Sequence, residues 1–166
     1  MPPAMSLSRS ASDPFSILEQ DHQEMDELFD QYSQAEDDLE EGDDLLSVRF
    51  ALVEEICEQL TLHARIEEEI LYPELRAAIE QPELIDESEV EHATARDLIA
   101  QLESMEPEDP ELDLTVETLA HCVRAHMARE ETELFPMARE AGLDVERLAA
   151  AIEALRLELA QGTADD

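Results

Sequence analysis

The sequence predicts an all-α protein, an antiparallel four-helix bundle with a short fifth helix at the C-terminal end. Leu, Ala and Glu are abundant, there are only 3 Gly and no Trp, and this composition favours helices. Apolar residues recur every three or four positions in four long segments, as expected for helices with one buried face. Short polar loops separate these segments, and helices joined by short loops pack antiparallel. A chain of 166 residues with 43% hydrophobic residues can bury one sizeable core.

The expected domain organisation is simple. Residues 1–12 are small and polar, and we expect this N-terminal segment to be disordered. Residues 13–160 should form the bundle together with its C-terminal helix. Residues 161–166 should form a disordered tail.

The first helix should begin at Asp13, a typical N-cap residue, followed by Pro14 in the first turn. It should run to about Ala35, before an acidic stretch that contains Gly42. Its inward face is predicted to carry Phe15, Leu18, His22, Met25, Phe29 and Tyr32.

The second helix should begin near Asp43 or Asp44, with a kink or break at Pro73 because proline lacks a backbone donor. It should resume after the proline and run to about Ile79. The inward stripe is predicted to carry Leu52, Ile56, Leu60, His63, Glu67 and Leu71.

The third and fourth helices repeat this arrangement. Asp86 with Glu89 resembles a capping box and predicts the start of the third helix, and the fourth should begin between Asp109 and Asp113. Gly142 is a candidate C-cap, and a fifth helix should follow Asp144. The two inward stripes are predicted to carry Ile85, His92, Ala95, Ile99 and Leu102 in the third helix, and Leu119, Cys122, Val123, His126, Glu130 and Leu134 in the fourth.

One motif occurs twice, in residues 63–78 and 126–141. Each copy opens with His, has Glu four residues later, and continues with Leu, an aromatic residue and Pro. The spacing places His63 with Glu67, and His126 with Glu130, on one helix face, one turn apart. Two such helices facing each other would direct two imidazoles and two carboxylates to a shared point.

This pattern indicates a metal site. Four of the 5 His lie on predicted inward stripes, one in each long helix. Buried ionised Glu side chains are costly unless paired, and the sequence has no Lys to pair with them. Imidazole and carboxylate suit iron, zinc, manganese or copper. Six ligands with two carboxylates fit two ions, for which iron is the leading candidate. The Glu-x-x-His order of ferritin-like di-iron proteins is absent from the motif.

The segments DH at 21–22, HARIEEEILYP at 63–73, EH at 91–92 and HMAREETELFP at 126–136 resemble the hemerythrin-like HHE cation-binding domain family. The resemblance covers about residues 14–140. It implies a non-haem di-iron centre whose two Glu bridge the irons, with an oxo or hydroxo group between them. The ligands implied by the resemblance are His22, His63, Glu67, His92, His126 and Glu130.

The sequence departs from the invertebrate oxygen carriers of this family. Those proteins have a further His one turn after the third-helix His, where this chain has Arg96. One nitrogen ligand is therefore missing, and water, an exogenous ligand or another side chain could fill the gap. Other neighbours are interpreted as non-ligands: His121, Glu68 and Glu131 as pointing away from the site, and Cys122, Tyr72 and Phe135 as packing residues.

The charge of the chain excludes several partners. The formal net charge is −35, with 10 Arg against 45 Asp and Glu. Such a surface repels phosphate backbones and anionic membranes, so neither nucleic acid nor membrane is an expected partner. This acidity indicates either adaptation to high ionic strength or simply an acidic protein, and both interpretations stay open. The chain shows no transmembrane stretch, no secretory signal and only 2 Cys, and we therefore expect a cytoplasmic location.

Three functions remain open. The centre could bind a small ligand (O2, NO or H2O2) between the helices. It could instead be an enzyme that consumes peroxide or nitric oxide, or an iron-handling or iron-sensing protein. The absence of an acid or base beyond the ligands favours ligand binding. The sequence does not indicate the oligomeric state.

Overall fold

In the computed structural model of the chain, residues 13–164 are described, and they form a bundle of helices joined by short loops. The predicted all-α fold, with four long rods and a C-terminal helix, is confirmed. Two of the rods contain a short π-helical segment. The helices are α1 (Pro14–Gln34), α2 (Leu45–Ile66), α3 (Tyr72–Ala78), α4 (Glu83–Glu103), α5 (Leu112–Arg129), α6 (Phe135–Glu140) and α7 (Val145–Ala164), with π1 (Glu67–Leu71) between α2 and α3 and π2 (Glu130–Leu134) between α5 and α6.

The start of α1 follows the prediction. The side chain of Asp13 accepts a hydrogen bond of 3.0 Å from the backbone N–H of Phe15, and Pro14 lies in the first turn. This bond satisfies a donor that the helix leaves free at its N-terminus. The cap fixes the first residue of the rod that carries His22.

The two motif prolines do not break their rods. Pro73 and Pro136 lie in the first turn of α3 and α6, each just after a π-helical segment. At the end of π1 the N–H of Tyr72 donates to the carbonyl of Glu67, five residues back. A π turn accommodates one extra residue in the helix, so the chain continues past the proline without a break. The kink or break that we expected is therefore a π segment, which begins at the motif Glu in both copies.

The predicted start of the third long helix was wrong. We expected Asp86 and Glu89 to form a capping box, but α4 begins at Glu83, directly after Pro82. Proline has its backbone angle fixed near the helical value and can precede a helix without a side-chain cap. Asp86 and Glu89 instead pair with Arg76 of α3, at 2.8 and 3.2 Å.

The C-terminal helix α7 packs against α1, α2 and π1. Gly142, with a positive φ of 73°, separates it from α6, as expected for a residue after a helix end. Residues 161–164, which we expected in a disordered tail, continue α7. The rest of that predicted tail, 165–166, and the predicted disordered segment 1–12 lie outside the described residues.

Two clusters of apolar side chains fill the bundle, one on either side of the motif histidines. One cluster includes Phe15, Leu18 and Phe135. The other includes Met25, Ile99 and Val123. The polar site lies between the two clusters. In residues 13–164, no helix combines the length and the apolar composition that crossing a bilayer requires.

Candidate metal centre

The structure brings the six predicted site residues together in the middle of the bundle. Five of them are at most 6% exposed, and the side chain of the sixth, His63, is 11% exposed. Each of the four long helical rods contributes one His, and the two Glu come from the first residue of each π segment. The residues are His22, His63, Glu67, His92, His126 and Glu130.

Four of these residues form the first of two groups, with donor atoms within 4.8 Å of one another: His22, His63, Glu67 and Glu130. Nε2 of His22 lies 3.2 Å from Oε1 of Glu130. Nε2 of His63 lies 3.3 Å from Oε1 of Glu67. Donors bound at about 2.1 Å to one ion lie about 3 Å apart, so this spacing suits a shared cation.

The second group consists of Glu67, His92 and His126, also within 4.8 Å. Nε2 of His92 lies 3.1 Å from Oε1 of Glu67 and 3.2 Å from Nε2 of His126. Nε2 of His126 also lies 3.4 Å from Oε1 of Glu130. Glu67 belongs to both groups, and the two groups therefore adjoin each other.

Unpaired donor atoms at the centre support a cation there. Besides Nδ1 of His22, four buried atoms of the site residues make no hydrogen bond: Nε2 of His22, Nε2 of His63, Oε2 of Glu67 and Oε1 of Glu130. Buried polar atoms are normally paired, and leaving them unpaired costs free energy. All four atoms belong to the first group, and nitrogen with carboxylate oxygen is a donor set that binds transition metals. The residues present therefore fit a metal ion.

Tyr72 lies at the same centre, where we had interpreted it as a packing residue. It is 1% exposed, and its hydroxyl donates a hydrogen bond of 2.8 Å to Oε2 of Glu130. The hydroxyl oxygen of Tyr72 also lies 3.2 Å from Oε1 of Glu67 and 3.3 Å from Nε2 of His92. The phenol thus adds an oxygen beside the second group. Phe135, the equivalent residue of the other motif copy, has no hydroxyl and stacks on His22.

The outer nitrogen, Nδ1, of each site His faces a carboxylate, which lies within hydrogen-bond distance for His63, His92 and His126. Two of these carboxylates directly precede a site His in sequence: Asp21 lies 3.3 Å from His63, and Glu91 lies 2.7 Å from His126. A carboxylate only accepts hydrogen bonds, so it keeps the proton on Nδ1 and leaves Nε2 directed at the centre. Asp21 and Glu91 lie in the DH and EH dipeptides, in which we had predicted a role only for the His.

The other two outer carboxylates directly follow a site Glu. Glu68 lies 3.1 Å from Nδ1 of His92, and Glu131 lies 3.8 Å from Nδ1 of His22. Both point away from the donor groups, as expected, but they contact the site histidines rather than only solvent. The four contacts follow an internal two-fold pattern, in which α1 corresponds to α4 and the α2 rod to the α5 rod.

Arginines hold three of these four carboxylates. Arg156 of α7 pairs with Asp21, Arg96 pairs with Glu68, and Arg129 pairs with Glu91. Arg96 occupies the position where the oxygen carriers have a further His, and it is 55% exposed. It therefore supports His92 through Glu68 and does not enter the donor groups.

The charges at the centre shift several pKa values. Burial alone would lower the pKa of His63, but the charge of Glu67 and the hydrogen bond with Asp21 outweigh it and raise the pKa to about 10. Burial also opposes charge on His126, yet the Glu130 carboxylate beside it raises its pKa to about 12. Burial would raise the pKa of Glu67, but the neighbouring His63 charge holds it well below its usual range. Without a metal, imidazolium–carboxylate pairs therefore hold the centre together.

Two other residues of α5, His121 and Cys122, were predicted not to be ligands. His121 is exposed on α5 and belongs to neither donor group. Cys122 is half-buried, a free thiol that lines a cavity beside the site histidines. Besides the outer carboxylates, Tyr72 was missed as a residue of the centre, although the difference between Tyr and Phe in two otherwise matched motifs was visible in the sequence.

The fold and the clustered donors define a helical cation-binding protein, and comparison with known proteins gives the family. Residues 13–138 match the family model of the hemerythrin HHE cation binding domain, and the chain belongs to that family. The crystal structure of a hemerythrin HHE cation binding domain-containing protein from Mycobacterium kansasii is similar, with a TM-score of 0.70 and 25% identity. The similarity covers 92% of this chain and 89% of that one.

A curated protein from Nostoc sp., described as a DNA nickase, is 30% identical over 126 residues, which is 74% of this chain. The matched region is 32% of the Nostoc protein, so this chain spans about a third of that relative.

Proposed function

We propose that this chain is a non-haem di-iron protein that binds a small ligand (O2, NO or H2O2) inside the helix bundle. Two iron ions, with an oxo or hydroxo bridge, would be held by His22, His63, Glu67, His92, His126 and Glu130. The observation that carries this proposal is the set of unpaired buried donors in the first group. Oε2 of Glu67 is among these atoms, and no group of the described residues donates a hydrogen bond to it.

The two donor groups suggest how the ions are divided. One ion would lie among His22, His63 and Glu130, and the other between His92 and His126, with Glu67 shared. The phenol oxygen of Tyr72, next to the second group, is a further oxygen donor for that ion. This residue would occupy part of the gap left by the nitrogen ligand that Arg96 replaces.

The surroundings support ligand binding. Apolar clusters lie on both sides of the centre, and a cavity between the helices reaches all four site histidines. Bound iron would supply the redox chemistry and an electrophilic position for the ligand. The protein would orient the imidazoles through the outer carboxylates and keep bulk water away.

A second candidate is an enzyme that consumes peroxide or nitric oxide, and Tyr72 favours it. Burial and the adjacent Glu67 and Glu130 charges raise the pKa of this phenol well above its usual value. The hydroxyl therefore keeps its proton, 2.8 Å from Oε2 of Glu130, within the centre. The phenol can therefore donate a hydrogen bond to a bound ligand at the centre.

The proposal includes a cytoplasmic location and no nucleic acid or membrane partner. The nickase activity belongs to the Nostoc protein, of which the matched region is 32%. We do not extend that activity to this chain, because a net charge of −35 repels phosphate backbones.

Metal analysis of the purified protein, combined with rapid mixing, tests the proposal. We expect two iron ions per chain, and a stable coloured adduct when the reduced protein is mixed with O2. Turnover of many equivalents of peroxide per site would favour the enzyme instead. Rapid transfer of iron to a weak chelator would favour iron handling. A chain purified from iron-replete cells without bound metal would contradict all three.

A further inference from the structure

We propose that the cavity beside the metal centre binds an uncharged organic molecule with a hydrocarbon part, rather than a diatomic gas or H2O2 alone. As an assignment of substrate class, this inference rests on the proposed metal centre. The cavity itself is a feature of the bundle and can be tested separately.

The size of the cavity is the first argument. Its volume is about 790 Å³. A water molecule takes about 30 Å³ of liquid volume, and a diatomic gas or H2O2 is of the same order. Sites for drug-sized organic ligands have volumes of about 300–1,000 Å³. The cavity is therefore in the range of an organic substrate and far larger than the small ligands require.

The shape of the cavity is the second argument. Along α4 it is lined from His92 to Glu103, a length of about 16 Å at the rise of an α-helix. His92 lies near one end of this stretch of α4, whereas along α2 and π1 the lining extends from Gln59 to Glu69, on both sides of His63. Away from the site histidines the walls are largely apolar and come from α1, α2, α4 and α5. These apolar residues include Met25, Leu60, Ala95, Ile99, Val123 and Met127.

The packing of the helices favours an entrance between α2 and α4. The closest packing in the bundle joins α1 with α2 and α4 with α5, and α2 is less closely packed against α4. Arg65 of α2 and Arg96 of α4 line the cavity and are both more than half exposed. A molecule could therefore enter from the side, place its polar end near the histidines and lay its hydrocarbon part along the apolar walls.

The charged side chains that line the cavity outside the metal centre disfavour an anion, which would meet uncompensated positive charge only at the centre itself. Three arginines line the cavity, but each already pairs with a carboxylate: Arg65 with Glu69, Arg96 with Glu68, and Arg156 with Asp21. Six carboxylates line the same cavity, twice the number of arginines. A fatty-acid carboxylate would meet this acidic lining and the field of a chain with a net charge of −35. An uncharged molecule avoids both costs.

A cavity-filling substitution tests the binding site. Nile red, an uncharged dye that fluoresces in apolar surroundings, would be titrated into the metal-free and the iron-loaded protein. Ala95→Phe places an aromatic ring in the cavity and should weaken dye binding at least about tenfold. Ala100→Phe, on the exposed face of the same helix, should bind as the unchanged protein does. Equal affinity in all three proteins would overturn the proposal.

Matched competitors test the charge preference. Decanol and decanoate have the same chain length, and we expect decanol to displace Nile red at a lower concentration. Displacement by decanoate at the same or a lower concentration would refute the uncharged class. Thermal melts check that Ala95→Phe is folded, and Ala95→Leu, a smaller change, replaces it if it is not.

The iron-loaded protein separates this inference from the proposed function. A dye bound beside paramagnetic iron should lose fluorescence, and the loss should scale with the measured iron content. Binding without any such loss in loaded protein would place the molecule away from the centre and contradict the inference. If the chain takes up no iron but Ala95→Phe still abolishes dye binding, the cavity is a binding site and the metal proposal alone fails.

Discussion

The hydroxyl of Tyr72 donates to Oε2 of Glu130 across a distance of 2.8 Å, although the two residues belong to different copies of the repeated motif. The equivalent aromatic residue of the second copy, Phe135, makes no such bond and stacks on His22 instead. The two donor groups are thus built on a repeated pattern but differ chemically. The group that contains His92 and His126 has a phenol beside it, and the other group does not.

Tyr72→Phe should selectively weaken the binding of the ion that is held by His92 and His126. Loss of one oxygen donor, or of its hydrogen bond to Glu130, should speed removal of one of two ions by a chelator at least about tenfold. The visible absorption of the iron-loaded protein should also change. Tyr32→Phe is the matched control, because Tyr32 bonds to Asp113 outside both donor groups. Identical release curves for the two variants would show that the phenol has no role at the metal centre.

The division of the donors predicts different metal losses for different ligands. His63→Ala affects only the first group and should leave about one ion per chain, whereas Glu67→Ala affects both groups and should remove both ions. Metal content per folded chain, measured by elemental analysis, distinguishes these results. The exposed His121→Ala is the control and should keep both ions. A His63→Ala protein with its full metal content would refute that ligand.

Glu91→Gln tests the outer carboxylates. Glu91 accepts from Nδ1 of His126 at 2.7 Å, and an amide in its place no longer fixes the proton on that nitrogen. Metal affinity should fall about 10–100-fold, the range seen when such partners are changed. Glu87→Gln, on the same helix and near the same Arg129, is the control and should bind metal normally. Competition with a chelator of known affinity gives both values.

The metal-free protein should become less stable as the pH rises above neutrality. The pKa values of His63 and His126 are raised to about 10 and about 12 in the folded state. Their stabilising contribution is full below the unfolded pKa of about 6.5 and is lost as the pH rises through the folded values. Urea midpoints of the metal-free protein should therefore fall between about pH 7 and pH 10. The double variant His63→Ala/His126→Ala should show a shallower decline, and an equal slope would contradict this origin.

Salt should stabilise the chain. The chain has 45 acidic residues and only 10 basic ones, so its acidic side chains repel one another. Salt screens this repulsion between exposed charges. The melting temperature should rise steadily as NaCl is added, in metal-free and metal-loaded protein alike. A melting temperature that stays constant or falls would argue against adaptation to high ionic strength.

Much of the fold could be predicted because periodicity and caps are local signals. The stripes that carry His22, His63, His92 and His126 gave the four rods, and Asp13 gave the first cap. The start of α4 could not be read in the same way. Asp86 and Glu89 have the spacing of a capping box, but Asp86 pairs with Arg76 of α3. That contact depends on how the two helices pack.

The inner donors were also predictable, because a His and a Glu one turn apart on a buried face have few other uses. The outer carboxylates were harder to predict. Asp21 contacts His63 on the neighbouring helix rather than the adjacent His22, and such a partner follows only from the relative placement of two helices. The π segments were missed for a different reason: proline signals the loss of a donor, but it does not specify how the backbone compensates.

Because the two motif copies share donors, metal binding is coupled to the stability of the protein in the cell. The first group needs Glu130 from the second copy, and the second needs Glu67 from the first, so neither helical hairpin completes a cation site by itself. Loading and the docking of the hairpins are therefore thermodynamically linked. In a metal-starved cell the hairpins would separate more often, exposing backbone to proteases, and the abundance of the chain would follow the supply of its metal.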